Sequence, residues 1–215
     1  MHIPDGFIAP QVYIPMYIVD IGLIAYGFNK LKDNLGRERF ATLSVLSALS
    51  FVLMSITFPL PGGTSVHITG ITILSVLLGY WVSFVCVSIV LFIQAAIFGE
   101  GGITSFPVNS IGIAFIGSIA SYYTFNILKR FLNQYMALFI SGWLSLNLSA
   151  LFIGFTLGLQ PIIAHDTAGK PLFFPFGFSI AVPAVVIPHL FAGIIEGIYT
   201  VFIYKVLKSK GLTDV

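Results

Sequence analysis

Charge is scarce in this sequence of 215 residues: ten Lys and Arg and eight Asp and Glu make up 8% of it. A soluble globular domain carries roughly a quarter charged residues, so this composition excludes an ordinary water-soluble domain. With 57% hydrophobic residues and a mean hydropathy of +1.00, the expected solvent is lipid. The single cysteine, Cys86, lies inside an apolar run and excludes an intramolecular disulfide. A phosphate-binding loop of the G-x-x-x-x-G-K-[S/T] type, an H-E-x-x-H pair and a G-x-S-x-G elbow are missing too. ATP hydrolysis by this chain is therefore not expected, and no other enzyme motif stands in its place. The net charge of +2 gives no reason to expect nucleic acid. No basic segment precedes the first apolar run, since the first basic residue is Lys30. A cleavable signal is not expected, and the segment beginning Met1-His2-Ile3-Pro4-Asp5-Gly6 is expected to belong to the mature protein.

What the sequence does have is long apolar runs. A helix needs about 20 apolar residues to cross the hydrocarbon core, and runs of that kind lie near 11–29, 40–60, 107–128, 134–158 and 179–206. The stretch from Ile68 to Phe98 is too long for one span and is interrupted at Gly79-Tyr80-Trp81, predicting two helices near 68–80 and 82–98. The fold expected is all-α and integral to the membrane, one polytopic domain over 1–215 with seven transmembrane helices. Basic residues fix its predicted orientation. Lys30, Lys32, Arg37 and Arg39 follow span one, Lys129 and Arg130 follow span five, and Lys205, Lys208 and Lys210 close span seven. Seven spans with the amino terminus outside and the carboxyl terminus cytoplasmic put all three clusters in the cytoplasm, leaving only Lys170 outside.

The predicted outer face holds residues 1–10, the loop Pro61 to His67, the loop Gly99 to Gly102 and a long loop from about Gln160 to Phe178. Three of the four histidines, His2, His67 and His165, fall there, with Asp5, Glu100 and Asp166. Histidine at position two is a chelating pattern. The Met1 amine, the His2 amide nitrogen and the His2 Nδ1 close a five-membered and then a six-membered ring around one metal. Planar nitrogen ligation of this kind suits Ni(II) and Cu(II), and displacing an amide proton disfavours Zn(II), Mg(II) and Ca(II). An amine with an ordinary pKa of about 8 must also lose its proton, so binding is expected to weaken in acid. His67, at the end of a Gly-rich loop on the same side, is the predicted fourth ligand, and Asp5 a candidate acceptor that orients His2.

Asp20 inside span one and Glu196 inside span seven are costly in lipid and are expected to face the bundle interior or each other. His189 and Glu196, seven residues apart, share one helix face. They read as a hydrogen-bonded pair that fixes packing, or as part of a metal route or partner contact. His165 beside Asp166 reads as a solvated loop histidine. Small residues four apart (Ala150, Gly154 and Gly158; Gly193 and Gly197; Ser44 and Ala48) predict close helix approach.

The opening Met1-His2-Ile3-Pro4-Asp5-Gly6-Phe7 resembles the start of the cobalt/nickel substrate-capture (S) components of energy-coupling factor (ECF) ABC transporters, the CbiM/NikM family. So do Val66-His67-Ile68-Thr69-Gly70, Gln94 through Gly102, and His189 through Gly197. The resemblance covers nearly the whole chain. It implies a six-helix S-component core with an extra amino-terminal helix, in the plasma membrane of a prokaryote. It further implies Ni(II) or Co(II) as transported substrate, held by Met1, His2 and His67. The partners implied are a transmembrane coupling subunit, two cytoplasmic ATP-binding subunits and a small membrane accessory protein. Relatives carry two asparagines a few residues apart after the fifth loop; Asn109 matches the first, while Gly112 stands at the second and departs from the pattern.

Metal capture is the leading expectation, with nickel ahead of cobalt because planar amide ligation suits it better. Copper binds more strongly on intrinsic affinity, so its exclusion falls to availability or to the loop scaffold. The alternatives are a cobalt-specific uptake subunit for cobalamin synthesis, a membrane metalloenzyme using Asp20, His189 and Glu196, and a passive channel or sensor.

Overall fold

The computed structural model describes residues 1–34, 37–60 and 63–213. The side chains of 32–39 and the Pro61-Gly62 pair lie outside this description, and with them Lys32, Arg37 and Arg39 of the first basic cluster. Seven helices are present among the described residues. They are α1 (Pro10–Asn34), α2 (Arg37–Ser55), α3 (Ile71–Leu78), α4 (Tyr80–Phe98), α5 (Phe106–Leu128), α6 (Gln134–Ile163) and α7 (Phe178–Ser209). Between α2 and α3 two short antiparallel strands, β1 (Phe58–Pro59) and β2 (Ser65–Val66), pair Phe58 with Val66.

Five of these helices, α1 and α4 to α7, are long and apolar enough to cross a membrane. The apolar part of α2, Phe40–Ser55, is shorter. At eight residues α3 is about 12 Å long and does not cross alone. The expected span at 40–60 therefore stops at Ser55, and Pro59, in β1, does not continue the helix. The expected span at 68–80 begins only at Ile71, because Gly70 takes a left-handed φ of +67° and stops the helix there. Gly79 separates α3 from α4, at the interruption noted in the sequence. Helix α6 runs past the predicted end at 158 to Ile163. Helices α4 and α5 each contain a π-helical stretch, Gln94–Phe98 and Ser110–Phe115; such stretches are frequent at functional sites.

Helices α6 and α7 form the tightest pair. A Cβ on Gly197 of α7 would lie 2.7 Å from the Phe139 carbonyl of α6, and one on Gly154 of α6 would lie 3.1 Å from the Val182 Cα of α7. The small residues predicted on spans six and seven serve this interface, whereas Ser44 and Ala48 of α2 are exposed. Hydroxyl pairs tie the interior together: Thr72 to Ser121, Ser88 to Ser110 and Ser118 to Ser83, each at 2.9 Å. Lys30 lines a cavity with the Gly79 turn and Tyr122, while Lys129 and Lys205 lie over the rings of Phe125 and Tyr135. Lys30, Lys129 and Lys205 thus gather at one end of the bundle, with aromatic side chains of the kind expected at a membrane interface, whereas Lys170 lies in the loop before α7.

Candidate metal centre

Within residues 1–9 only Asp5 and Gly6 are exposed. The segment threads into the bundle, burying Met1, His2, Ile3, Ile8 and Ala9. Four elements grip this plug. Asn109 of α5 accepts the Ile3 N–H at 2.9 Å and donates to the Ile3 carbonyl at 3.1 Å. Ser105 donates to the same carbonyl at 2.5 Å. Gln160 of α6 accepts the Ala9 N–H at 2.8 Å. The Phe174 N–H donates to the Phe7 carbonyl at 3.2 Å, and their rings lie 5.5 Å apart.

The plug delivers His2 against His67, with ring centroids 4.4 Å apart and planes inclined by 30°. The Met1 amine donates to the Ser65 carbonyl of β2, so hairpin and amino terminus meet here. His67 Nδ1 lies 3.2 Å from the Ile68 carbonyl, which assigns the proton to Nδ1 and the lone pair to Nε2. That Nε2 is buried without a partner, and so is the Nε2 of His2. Burial pulls the Met1 amine from 8.0 down to about 4. Burial, followed by the charge of that amine, pulls the His2 imidazole from 6.5 down to about 3. Both nitrogens are neutral at neutral pH and offer lone pairs, the state a metal requires.

Among the described residues no three His, Cys, Asp or Glu side chains converge as a metal site does. A metal between His2 and His67 would therefore need backbone nitrogens as further ligands, and the amine and amide of residues 1 and 2 lie in the same buried segment. Soft sulfur and hard carboxylate ligands are both missing from this donor set, which suits nickel, copper or cobalt better than calcium or magnesium.

The other predicted residues are placed as follows. Asp5 does not orient His2. Although burial acts to raise its carboxyl, hydrogen bonds from the Thr104 hydroxyl and the Thr104 and Ile103 N–H groups hold it below its ordinary value. Its job is to fasten the plug to the 99–105 loop. Glu100 takes a long contact of 3.5 Å from Gln94. Gly112 packs where a Cβ would meet Phe152 at 2.6 Å and Ile153 at 2.9 Å, so no larger residue fits there without repacking. Asp20 accepts from Ser110 at 2.8 Å, while Glu196 accepts from Thr69 and Gly70. Asp20 and Glu196 are both buried, as expected of acids that face the bundle interior, but they are not paired with each other, and His189 is not hydrogen-bonded to Glu196. His189 instead places Nδ1 2.7 Å from the Val185 carbonyl of its own helix. His165 is exposed, bridges to Pro171 through its backbone, and places Nδ1 3.2 Å from the Asp166 carbonyl of its own loop. Gln160 and Ser65 were not singled out from the sequence. The only signal for Gln160 was an amide in an otherwise apolar run.

Fold and site together define a multi-pass membrane protein in which Met1, His2 and His67 form a buried, nitrogen-bearing cluster. Residues 2–211 match the family "Cobalt uptake substrate-specific transmembrane region", CbiM, and the chain belongs to it. It is 36% identical over 206 residues to the fused nickel transport protein NikMN of Rhodobacter capsulatus, covering 93% of this chain and 59% of that protein. It is 32% identical over 217 residues to the probable fused nickel transport protein LarMN of Lactiplantibacillus plantarum, covering 100% of this chain and 66% of that one. The chain thus spans about three-fifths to two-thirds of these fused relatives. A crystal structure of a truncated transition metal transporter superposes with a TM-score of 0.94 at 34% identity, covering 98% of this chain and 99% of the other.

Proposed function

We propose that this chain is the metal-binding S component of an ATP-driven ECF importer and captures Ni(II), or Co(II), as transported substrate. The observation that carries the reading is the stacked His2–His67 pair beside a neutral, buried Met1 amine. The Met1 amine, the His2 amide and imidazole, and His67 Nε2 form the ligand set, with the Asn109–Ile3 contact holding the chelating residues in register. Nickel is preferred because a deprotonated amide in a plane of nitrogens suits it better than cobalt. The motor lies elsewhere. A transmembrane coupling subunit, two cytoplasmic ATP-binding subunits and a small membrane accessory protein would supply it, and the bundle's basic end would face the cytoplasm of a prokaryotic cell.

Calorimetric nickel titration tests the reading, comparing protein that begins at a free Met1 with protein extended by a few residues. The extended form should lose affinity by at least about a hundredfold, since it loses the amine and the adjoining chelate ring. Equal affinities would sink the proposal. A parallel cobalt titration ranks the two metals.

A further inference from the structure

The carboxylate of Glu196 lies inside α7, 1% exposed, in a helix that faces lipid over much of its length. It is not an orphan. Oε2 accepts the Thr69 N–H at 2.6 Å, Oε1 accepts the Gly70 N–H at 2.9 Å, and the Thr69 hydroxyl donates to Oε1 at 3.2 Å. All of these partners are donors, which is the arrangement that satisfies an ionised carboxylate. The residues gripped are the link between His67 and α3, 127 positions away in sequence for the Thr69 contact.

That link has little freedom of its own. Gly70 holds φ at +67°, and a Cβ there would lie 3.0 Å from Ser50 Oγ. Glu196 itself is held by a rigid pair, because its neighbour Gly197 sits against Phe139 of α6 with no room for a Cβ. The α6–α7 pair thus reaches across the bundle through one side chain and holds the backbone two residues beyond a candidate ligand.

We propose that Glu196 is the positioning residue of the metal centre, aiming His67 Nε2 at the chelate plane of Met1 and His2. This inference rests on the functional reading above. By this account Glu196 touches no metal and acts only through His67, so motion of α7 relative to α3 is transmitted to the fourth ligand.

The test is a double-mutant cycle on the whole chain with a free Met1 amine, titrated with Ni(II). Glu196→Gln keeps the shape but presents an NH2 group to backbone donors. It should weaken nickel binding by at least about tenfold and change the ligand-field absorption of bound nickel to that of the His67→Ala protein. The double variant, Glu196→Gln with His67→Ala, should bind no more weakly than His67→Ala alone, because the effect of Glu196 passes through His67. Additive losses, or a Glu196→Gln protein with wild-type affinity and spectrum, would overturn the proposal. If Glu196→Gln fails to fold, Thr69→Ala, which removes only the hydroxyl arm, decides by the same cycle. Its loss should be about threefold and again vanish on the His67→Ala background. Wild-type protein that binds no nickel would instead overturn the function proposed above, so the two failures are distinct.

Discussion

Asn109 and Ile3 pair edge to edge, the Asn109 amide donating to and accepting from the backbone of Ile3 at 3.1 and 2.9 Å. One helix side chain thereby makes at Ile3 both hydrogen bonds that a neighbouring strand would make. The residue it pairs is the one after His2, so the contact sets the position of the His2 carbonyl and of the backbone just before it, which is proposed above to chelate the metal.

Asn109→Ala should cost about 2 kcal/mol of stability, the usual penalty for leaving a buried N–H unpaired. The Ile3 carbonyl keeps its Ser105 partner, so the loss falls on the N–H alone. Nickel affinity should fall by about tenfold, following the energy needed to hold the plug in place. Thermal unfolding in detergent and calorimetry measure the two effects. A destabilised protein with unchanged affinity would show that Asn109 serves the fold and not the site.

Burial of the Met1 amine and His2 changes the pH dependence expected from sequence. An exposed amine near 8.0 would compete with metal throughout the neutral range, but this one is depressed to about 4 and His2 to about 3. Both are bases with lowered folded-state values, so the unfolded chain binds more protons wherever they differ. Stability should therefore rise with pH from about 3 to 8 and level off above. Metal binding should release close to one proton, from the His2 amide, between about pH 5 and 7. Nickel titrations in buffers of different ionisation enthalpy count the protons. A release near three would mean that amine and imidazole are charged in the free protein.

The bundle was legible in sequence where it obeys a period or a composition. The split at Gly79, the helix starts near Pro10, Phe106, Gln134 and Phe178, and the small-residue face of α6 and α7 follow from hydropathy and spacing. Ser55, where α2 stops, was missed because the residues leading to the hairpin are still apolar. The proposed chelating residues are legible because the chemistry of a histidine at position two is local. Glu196 on Thr69, Asn109 on Ile3 and Gln160 on Ala9 are not, since each joins a side chain to a backbone group more than 100 residues away. Contacts of that kind have no sequence period. Asp5 was misread for the same reason: its partners at 103 and 104 are distant in sequence, while His2 is near.

Gly102 leaves almost no space at the grip on Asp5. A Cβ there would lie 2.3 Å from the Asp5 nitrogen and 2.4 Å from its Oδ1, so Gly102→Ala must displace the plug or the 99–105 loop. Gly177→Ala is the control, because nothing lies within 4 Å of its Cβ position. Nickel affinity should fall by at least about tenfold in the first variant and change less than twofold in the second. Equal affinities would show that the loop yields without moving His2.

Asp20 separates metal capture at the amino terminus from a metal site among the intramembrane acids. Its Oδ1 takes the Ser110 hydroxyl at 2.8 Å, and its Oδ2 is buried without a partner. Glu196 is held by Thr69 and Gly70, and His189 Nδ1 lies against Val185 while its Nε2 is buried without a partner, so none of the three candidates for an intramembrane metalloenzyme site hydrogen-bonds another. Asp20→Asn keeps an acceptor for Ser110 while removing a carboxyl group from a lipid-embedded helix, where ionisable groups are costly. It should leave nickel affinity within about twofold of wild type, while His2→Ala should abolish binding in the micromolar range. The opposite pattern, binding lost in Asp20→Asn and kept in His2→Ala, would transfer the site to the middle of the bundle and restore the enzyme reading.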